Sequence, residues 1–275
     1  MSLYENLICP ICKNSLRKEG ASLKCERGHS FDFAKSGYIN LLNPGKKNNA
    51  KAGDSREMIR ARSLFFKTGC YAQIRDTLSS LVASLEPRVV IDAGCGEGYY
   101  TSKIASDCRG AMVYGLDMSK HGTEHASKVD RAGGITSTLY AVSNIFDIPL
   151  RDGCADVVVN AFAPVASEEF CRVLRSGGYL IICASGEHHL EGLKRKLYTQ
   201  VYLNEANEHN YEGFELIDHK TLSYKTTIEG SEAIWALFQM TPYYHRTSLE
   251  DKAKLEGLSS LTTEVEVDFF ILRRL

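Results

Sequence analysis

The chain has 275 residues, of which 44% are hydrophobic, and its formal net charge is −1. No apolar run approaches the roughly 18 to 20 residues that span a bilayer. The first eight residues contain Glu5 and no apolar core, so we do not expect them to act as a signal peptide. We therefore expect neither an integral membrane protein nor a disulfide-stapled secreted one, but a cytoplasmic chain with reduced thiols.

Charge is unevenly distributed along the chain. Residues 1–60 contain eleven Lys or Arg against six Asp or Glu, a net charge of +5, which leaves −6 on the remainder. A basic amino-terminal part on an acidic body indicates that this part meets a polyanion. Chance segregation of surface charge is the alternative.

The first forty residues contain a metal-ligand pattern. Cys9 and Cys12 form a C-x-x-C pair, and Cys25 and His29 follow after a twelve-residue spacer. Four such ligands complete a tetrahedral zinc site with no position left for water. Zinc can also fold a segment too short to bury its own core. We therefore predict a structural Zn²⁺ in a domain of residues 1–40, with coincidental buried cysteines as the alternative.

Residues 41–68 are predicted to be a basic linker and a helix. The helix follows Gly53, with Asp54 as its expected N-cap. Six cations make this stretch a candidate phosphate-contacting, RNA-binding surface: Lys46, Lys47, Lys51, Arg56, Arg60 and Arg62. A solvated linker and helix face is the alternative.

Residues 69–275 are predicted to form an α/β domain around one glycine turn. Residues 89–93 indicate a buried parallel strand, and a helix begins after the turn. The third glycine is one position too early for the dinucleotide fingerprint. Asp92 and Glu97 make the turn acidic, with no Lys or Arg within it to meet a pyrophosphate, so a cationic ligand suits it better. The turn contains three alternating glycines, Gly94, Gly96 and Gly98.

This D-x-G-C-G-E-G turn resembles motif I of the class I S-adenosylmethionine-dependent methyltransferases. An ordinary βα turn without a ligand is the alternative. The resemblance implies a Rossmann-like seven-stranded sheet beside the small N-terminal zinc-binding domain.

Later strands place further candidates at the same edge of the sheet, where an open α/β sheet binds its ligand. Asp117 ends the strand at 112–116, where it can accept hydrogen bonds from ribose hydroxyls. Asn144 and Ile145 follow the strand at 139–142 and are expected to flank an adenine. Asn160 lies at the tip of the strand at 155–161, where a methyl group should meet its acceptor. His189 is expected to open a long helix and to face the cleft, with a core or surface histidine as an equal alternative.

Taken together, the motifs resemble the 23S ribosomal RNA (guanine-N1)-methyltransferase family nearly from end to end. The matching stretches are C-P-I-C at 9–12, C-x-x-x-H at 25–29, S-F-D at 30–32, G-Y-I-N-L-L at 37–42, G-D-S-x-E-M at 53–58, D-A-G-C-G-E-G-Y-Y-T at 92–101, G-L-D-M-S-K at 115–120 and M-T-P at 240–242.

The resemblance implies methyl transfer from S-adenosylmethionine to N1 of one guanine in a 23S rRNA hairpin loop, with a zinc-bearing RNA recognition domain and a homodimer. One family branch is associated with resistance to tylosin-like macrolides. The resemblance to the family also implies that Tyr71 and His189 contact the cofactor. Cys70 and the Asn160-Ala-Phe162 tip depart from the family pattern.

Two other functions stay open. A small-molecule methyltransferase would need neither the zinc site nor the basic linker, and a non-catalytic zinc-containing RNA-binding protein would need no donor site. No catalytic residue is assigned from the sequence. Asp147 and Asp156 are candidate bases by position, although Asp156 is expected at the start of its strand, the wrong end for the reaction. Phe162, Tyr243 and Tyr244 are candidates for stacking on a base, with a place in the core as the alternative for each.

Overall fold

A computed structural model describes residues 2–45, 53–205 and 209–275. The predicted contact residues Lys46, Lys47 and Lys51 lie outside these ranges. The strands are β1 (Arg17–Glu19), β2 (Ser22–Lys24), β3 (Ser30–Asp32), β4 (Ile39–Asn40), β5 (Val89–Ala93), β6 (Met112–Asp117), β7 (Thr138–Val142), β8 (Ala155–Ala161), β9 (Leu174–Ser185), β10 (Phe214–Glu229) and β11 (Ser260–Arg274). The helices are α1 (Arg56–Phe66), α2 (Ala72–Ala83), α3 (Tyr99–Asp107), α4 (Lys120–Ala132), α5 (Ser167–Val173), α6 (Glu191–Leu197), α7 (Ser231–Gln239) and α8 (Leu249–Ala253).

The main sheet has the order β10-β11-β9-β8-β5-β6-β7-β4. Strands β4 to β9 pair in parallel, and β11 and β10 extend the sheet antiparallel. Every residue of β5 is buried, as expected for a parallel strand covered on both faces. The predicted α/β class and its seven strands are confirmed, and β4 adds an eighth.

The chain order changes direction between β5 and β8, and this fixes the position of the site. From β5 the chain continues to β6 and β7 on one side, and then returns through β8 and β9 on the other. A crevice opens beside the carboxyl ends of the strands at such a switch point. The glycine turn follows β5 and therefore borders that crevice.

The zinc-ligand segment packs directly against the main sheet. Its own sheet is the antiparallel β1-β2-β3, and β4 then pairs with β7 through Ile39 and Ala141. Leu7 and Leu23 share one buried cluster with Ile39 and Ile91. The segment therefore continues the core of the larger domain, and a boundary at residue 40 stays a prediction.

Two local expectations were wrong. The N-cap of α1 is Ser55, whose hydroxyl accepts a hydrogen bond from the Met58 N–H, whereas Asp54 pairs with Arg62 at 2.8 Å. The long helix expected after residue 186 is the seven-residue α6. In the described part of the chain, no helix combines the length and apolarity needed to cross a bilayer.

Candidate functional site

The four predicted metal ligands converge. The ligand atoms of Cys9, Cys12, Cys25 and His29 all lie within 4.8 Å of one another. His29 Nδ1 lies 3.5 Å from Cys9 Sγ and 3.3 Å from Cys25 Sγ, and the Cys12 and Cys25 sulfurs are 3.6 Å apart. A tetrahedron built on zinc–sulfur bonds of about 2.3 Å has edges of about 3.8 Å. The residues therefore fit a closed structural zinc site.

Local turns hold this ligand set in place. The Cys9 N–H donates to the Asn14 carbonyl at 2.8 Å, and the Cys25 N–H donates to the His29 carbonyl at 3.1 Å. Burial opposes ionisation of Cys25, but hydrogen bonds from the His29 backbone and the Cys12 side chain outweigh it and lower the pKa of the thiol to about 6. Because the thiolate is the metal ligand, Cys25 is ready to bind zinc at neutral pH.

A cleft of about 1100 Å³ lies at the carboxyl ends of β5, β6 and β8. Seven of the predicted cofactor residues line it: Tyr71, Gly94, Glu97, Asp117, Asn144, Ile145 and His189. Four others lie behind its surface: Asp92, Gly96, Gly98 and Asn160. The structure thus gathers most of the predicted set around one cavity and places the remainder in the wall that supports it.

The glycine turn requires residues without side chains. Gly94 has a φ of +93°, and a Cβ there would lie 2.5 Å from the Ala163 Cβ. Gly96 has a φ of +54°, and its N–H donates to Asp117 Oδ2 at 2.9 Å. Asp117 Oδ1 accepts the Ser119 N–H at 2.6 Å. The carboxylate at the tip of β6 therefore holds the turn against the start of α4.

Glu97 places a buried carboxyl group in the cleft. The residue is 7% exposed, and neither of its oxygens has a hydrogen-bond partner among the described residues. Burial raises its pKa to about 8, although the guanidinium of Arg62 opposes this from 3.9 Å. Leaving a buried polar group without a partner costs about 1 to 3 kcal/mol. The turn therefore fits a ligand that brings a cation or hydrogen-bond donors, as the predicted S-adenosylmethionine does.

Asp92 and Asn160 support the cleft from behind. Asp92 accepts a hydrogen bond from Thr101 Oγ1 at 2.5 Å, and burial raises the pKa of its carboxyl group to about 7. Asn160 Nδ2 donates to the Ala93 carbonyl at 3.0 Å and to the Pro164 carbonyl at 3.1 Å. Asn160 therefore ties the end of β5 to the loop after β8.

On another wall, Tyr71 and His189 form a buried pair. The tyrosine hydroxyl lies 2.9 Å from His189 Nε2, and the Glu266 N–H donates to His189 Nδ1 at 3.3 Å. Burial lowers the pKa of His189 to about 4, so the imidazole is neutral at pH 7. Because Nδ1 accepts, Nε2 carries the hydrogen and donates it to the Tyr71 oxygen. The Tyr71 O–H is then available as a donor to a ligand.

The tip of β8 presents an aromatic ring to the cleft. Phe162 has a φ of +53°, unusual for a residue with a bulky side chain, and is 42% exposed. Its ring centroid lies 6.4 Å from that of Tyr100 and 6.1 Å from that of His189. Backbone strain of this kind clusters at functional sites. Of the two other predicted stacking residues, Tyr243 also lines the cleft, whereas the Tyr244 ring packs against Phe238 with centroids 5.2 Å apart.

Sequence reasoning missed several residues of the cleft wall. Arg62 comes from α1 and faces the turn, so the turn is not without a cation. Phe66 stacks on Tyr99 with ring centroids 3.9 Å apart. Tyr100, in the first turn of α3, also lines the cleft. The alternating glycines predict the turn, but they do not predict which side chains from other elements line the cleft. Further unpredicted lining residues are Met118, Leu203, Asn204, His209 and Tyr211.

The remaining candidates are distributed around the molecule. Arg56 and Arg60 are exposed on α1, while Arg62 pairs with Asp54 at the cleft. Asp156 accepts hydrogen bonds from the Arg88 and Val89 N–H groups and from Arg175 at the start of β8, which is the end of the sheet away from the cleft. Asp147 lies 2.6 Å from the Lys13 ammonium nitrogen. These contacts assign structural roles to both aspartates.

Two family models match the chain. The model of the RlmA N-terminal zinc ribbon matches residues 7–51, and a methyltransferase domain model matches residues 86–239. The first match includes all four predicted zinc ligands. The second includes β5, the glycine turn and the tips of β6 and β8.

The chain is also similar to three named proteins. It is 35% identical to the 23S rRNA (guanine(748)-N(1))-methyltransferase of Streptomyces fradiae, over 68% of this chain and 66% of that protein. It is 31% identical to YxjB of Bacillus subtilis strain 168, named as a candidate 23S rRNA (guanine-N(1))-methyltransferase, over 96% of this chain and 95% of that protein. A similarly named protein of Micromonospora griseorubida is 33% identical, over 71% of this chain and 70% of that protein.

Proposed function

The chain belongs to the family of 23S rRNA (guanine-N1)-methyltransferases, and from that premise we propose that it transfers a methyl group from S-adenosylmethionine to N1 of a guanine in a 23S rRNA hairpin loop. The observation that carries this proposal is the Glu97 carboxyl group on the glycine turn, which has no hydrogen-bond partner among the described residues and lies in a cleft that also contains the exposed ring of Phe162. The first feature suits a cationic donor and the second suits a planar acceptor.

The donor site is assigned to residues around the glycine turn. Glu97 and the Tyr71 hydroxyl are proposed to hold the amino-acid part of the donor, Asp117 its ribose, and Asn144 and Ile145 its adenine. When bound, S-adenosylmethionine supplies an electrophilic methyl group on a sulfonium. The residues behind the surface keep the turn in the conformation that leaves this space open.

The acceptor guanine must leave its stack before it can react. Its N1 lies on the edge that pairs bases, so the enzyme must accept an unpaired loop nucleotide or one that is flipped out. Phe162 is proposed to stack on the base, since aromatic stacking on a base is worth about 1 to 3 kcal/mol. Guanine N1 then forms a bond to the methyl carbon as the carbon–sulfur bond breaks, and the N1 proton leaves to solvent.

Alignment of acceptor and donor is the enzyme's main proposed contribution. Well-oriented intramolecular reactions gain about 7 to 11 kcal/mol from such positioning. His189 is a poor base because its pKa is about 4, so we assign it the role of orienting the Tyr71 hydroxyl.

The zinc ribbon separates this function from that of a small-molecule methyltransferase. Its β4 pairs with the main sheet, and Lys13 contacts Asp147 in the loop after β7. An RNA loop lying on the ribbon therefore also lies near the cleft.

The test is transfer of labelled methyl groups to 23S rRNA transcribed without modifications. Incorporation into one site of this RNA is expected. Incorporation into small metabolites alone would favour a small-molecule methyltransferase. RNA binding without transfer to any acceptor would favour a non-catalytic RNA-binding protein.

We further propose a homodimer and a cytoplasmic location. The family resemblance supports the first, and a ribosomal RNA substrate supports the second. Sedimentation at several protein concentrations tests the dimer. A monomer at all concentrations would contradict it. Reduced macrolide sensitivity of cells expressing the protein would extend the proposal to drug resistance.

A further inference from the structure

A groove of about 530 Å³ runs between α4 and the turn that follows β3. Its charged lining residues are Lys35, Lys120, Glu124, Lys128 and Arg131. Four cations against one acid give the groove a net charge of +3. Lys120, Glu124, Lys128 and Arg131 recur every three or four positions, so they share one face of α4.

The floor of the groove is built from specific contacts between α4 and residues 35–37 of the zinc-bearing segment. Ser127 Oγ donates to the Ser36 carbonyl at 2.7 Å, and Arg131 donates to the Lys35 carbonyl at 3.1 Å. Gly37 has a φ of +102°, and a Cβ there would lie 3.0 Å from the Arg131 guanidinium. The zinc-bearing segment is therefore fixed against α4, and the groove spans their junction.

Most of this positive charge is not neutralised within the protein. Lys128 pairs with Glu124 at 2.6 Å, yet its side chain stays 61% exposed. Lys35, Lys120 and Arg131 have no acidic partner within 4.0 Å among the described residues. Beside this face, Ser63 of α1 contacts His125 of α4 at 3.4 Å. Burial lowers the pKa of His125, and Lys67 and Lys128 lower it further.

The groove leads to the donor cleft. Lys120 is the first residue of α4, two positions after Met118, which lines the cleft. From Lys120 to Arg131 the helix rises about 16 Å. One strand of B-form DNA carries a phosphate about every 3.4 Å along its axis, and A-form RNA has a shorter rise, so this length covers at least about five phosphates of one RNA strand.

We propose that this groove binds the sugar–phosphate backbone of the substrate RNA beside the target nucleotide. The inference rests on the proposed function, and it adds a contact surface made jointly by the zinc-bearing segment and α4. Phosphate contacts fix register without reading sequence. The groove therefore holds the stem of the hairpin while a loop nucleotide enters the cleft.

The test measures the affinity of the zinc-loaded full chain for an unmodified hairpin at several salt concentrations. Lys120→Gln with Lys128→Gln should weaken binding roughly tenfold and lower the slope of log affinity against log salt by about 1.4 to 1.8. The loss should be equal for target and non-target hairpins. Zinc content and S-adenosylmethionine affinity should not change.

Two control proteins accompany this variant. Lys220→Gln with Lys225→Gln removes two exposed, ion-paired lysines of β10, at the opposite edge of the sheet, and should keep the wild-type slope. Lys120→Arg with Lys128→Arg keeps both charges and should also keep it.

The outcomes separate this inference from the proposed function. If the wild type methylates the RNA but the groove variant keeps the wild-type slope, only the groove proposal is overturned. An equal loss in the β10 variant would overturn it as well. If the wild type neither binds nor methylates the RNA, the proposed function fails and the groove proposal fails with it.

Discussion

Glu97 offers the sharpest test of the donor site. Burial raises the pKa of its carboxyl group to about 8, and neither oxygen has a hydrogen-bond partner among the described residues, although Arg62 lies 3.9 Å away. At pH 7 a group with this pKa is protonated in about nine molecules of ten. If the carboxylate is the form that receives the cationic donor, binding at pH 7 must release about 0.9 of a proton from this residue.

The same linkage sets the pH dependence of affinity. The ionised fraction of Glu97 rises from about 1% at pH 6 to about 90% at pH 9. Its contribution to the affinity for S-adenosylmethionine should therefore increase on the order of 100-fold over that interval. The α-amino group of the ligand has an ordinary pKa of about 8 and titrates in the same range. The comparison must therefore be with Glu97→Gln, which keeps the shape of the side chain and lacks its titration.

Titration calorimetry in buffers with different ionisation enthalpies gives both the affinity and the number of protons released. Wild type should release about one proton more than Glu97→Gln at pH 7. The logarithm of the affinity ratio of the two proteins should rise by nearly one per pH unit below 8. Equal proton release by both proteins would refute the assignment of Glu97 to the donor.

Three further substitutions test neighbouring parts of the account. Burial raises the pKa of Asp92 to about 7, so its folded form holds a proton more tightly than the unfolded chain does. The contribution of Asp92 to the free energy of unfolding should therefore fall as pH rises from about 4 to 7, by on the order of 4 kcal/mol. In urea titrations of the donor-free protein, Asp92→Asn should remove that share of the pH dependence and leave the share that the raised pKa of Glu97 contributes. Gly94→Ala puts a Cβ 2.5 Å from that of Ala163, so calorimetry should show that the affinity for S-adenosylmethionine falls by roughly tenfold or more. Zinc content, measured by atomic absorption, should not change. Loss of zinc would show that the two sites are not independent. Cys12→Ala removes one of the four zinc ligands. It should lower the amount of bound zinc and raise the KM for RNA, while the affinity for S-adenosylmethionine is mostly kept. Unaltered methylation would show that the zinc ribbon plays no part in the reaction.

The parts of this fold that were predictable are those in which local sequence decides the structure. Residues 89–98 combine an apolar run with glycines that need positive φ, and few structures other than a strand and a tight turn accept that combination. The spacing of the zinc ligands is equally restrictive, because four side chains must reach one ion.

Other features depend on contacts between distant segments and could not be read locally. Tyr71 and His189 are 118 residues apart. The order of the predicted elements placed His189 at the cleft, but only the family resemblance linked Tyr71 to the cofactor. Arg62 seemed part of an exposed basic face, but its side chain pairs with Asp54 beside the turn. Once that ion pair occupies Asp54, the neighbouring Ser55 caps α1. N-cap propensity allows either Asp54 or Ser55, and the tertiary contact of Asp54 with Arg62 decides which residue caps the helix.

The central claim is that the acidic glycine turn and the zinc ribbon serve one reaction, methylation of a guanine at N1. The most direct measurement is nucleoside analysis of unmodified 23S rRNA after incubation with the zinc-loaded protein and S-adenosylmethionine. The account predicts 1-methylguanosine at close to one per RNA, and a single stop of reverse transcription at that nucleotide. Methylation of a different base, or of a guanine at a different atom, would contradict it.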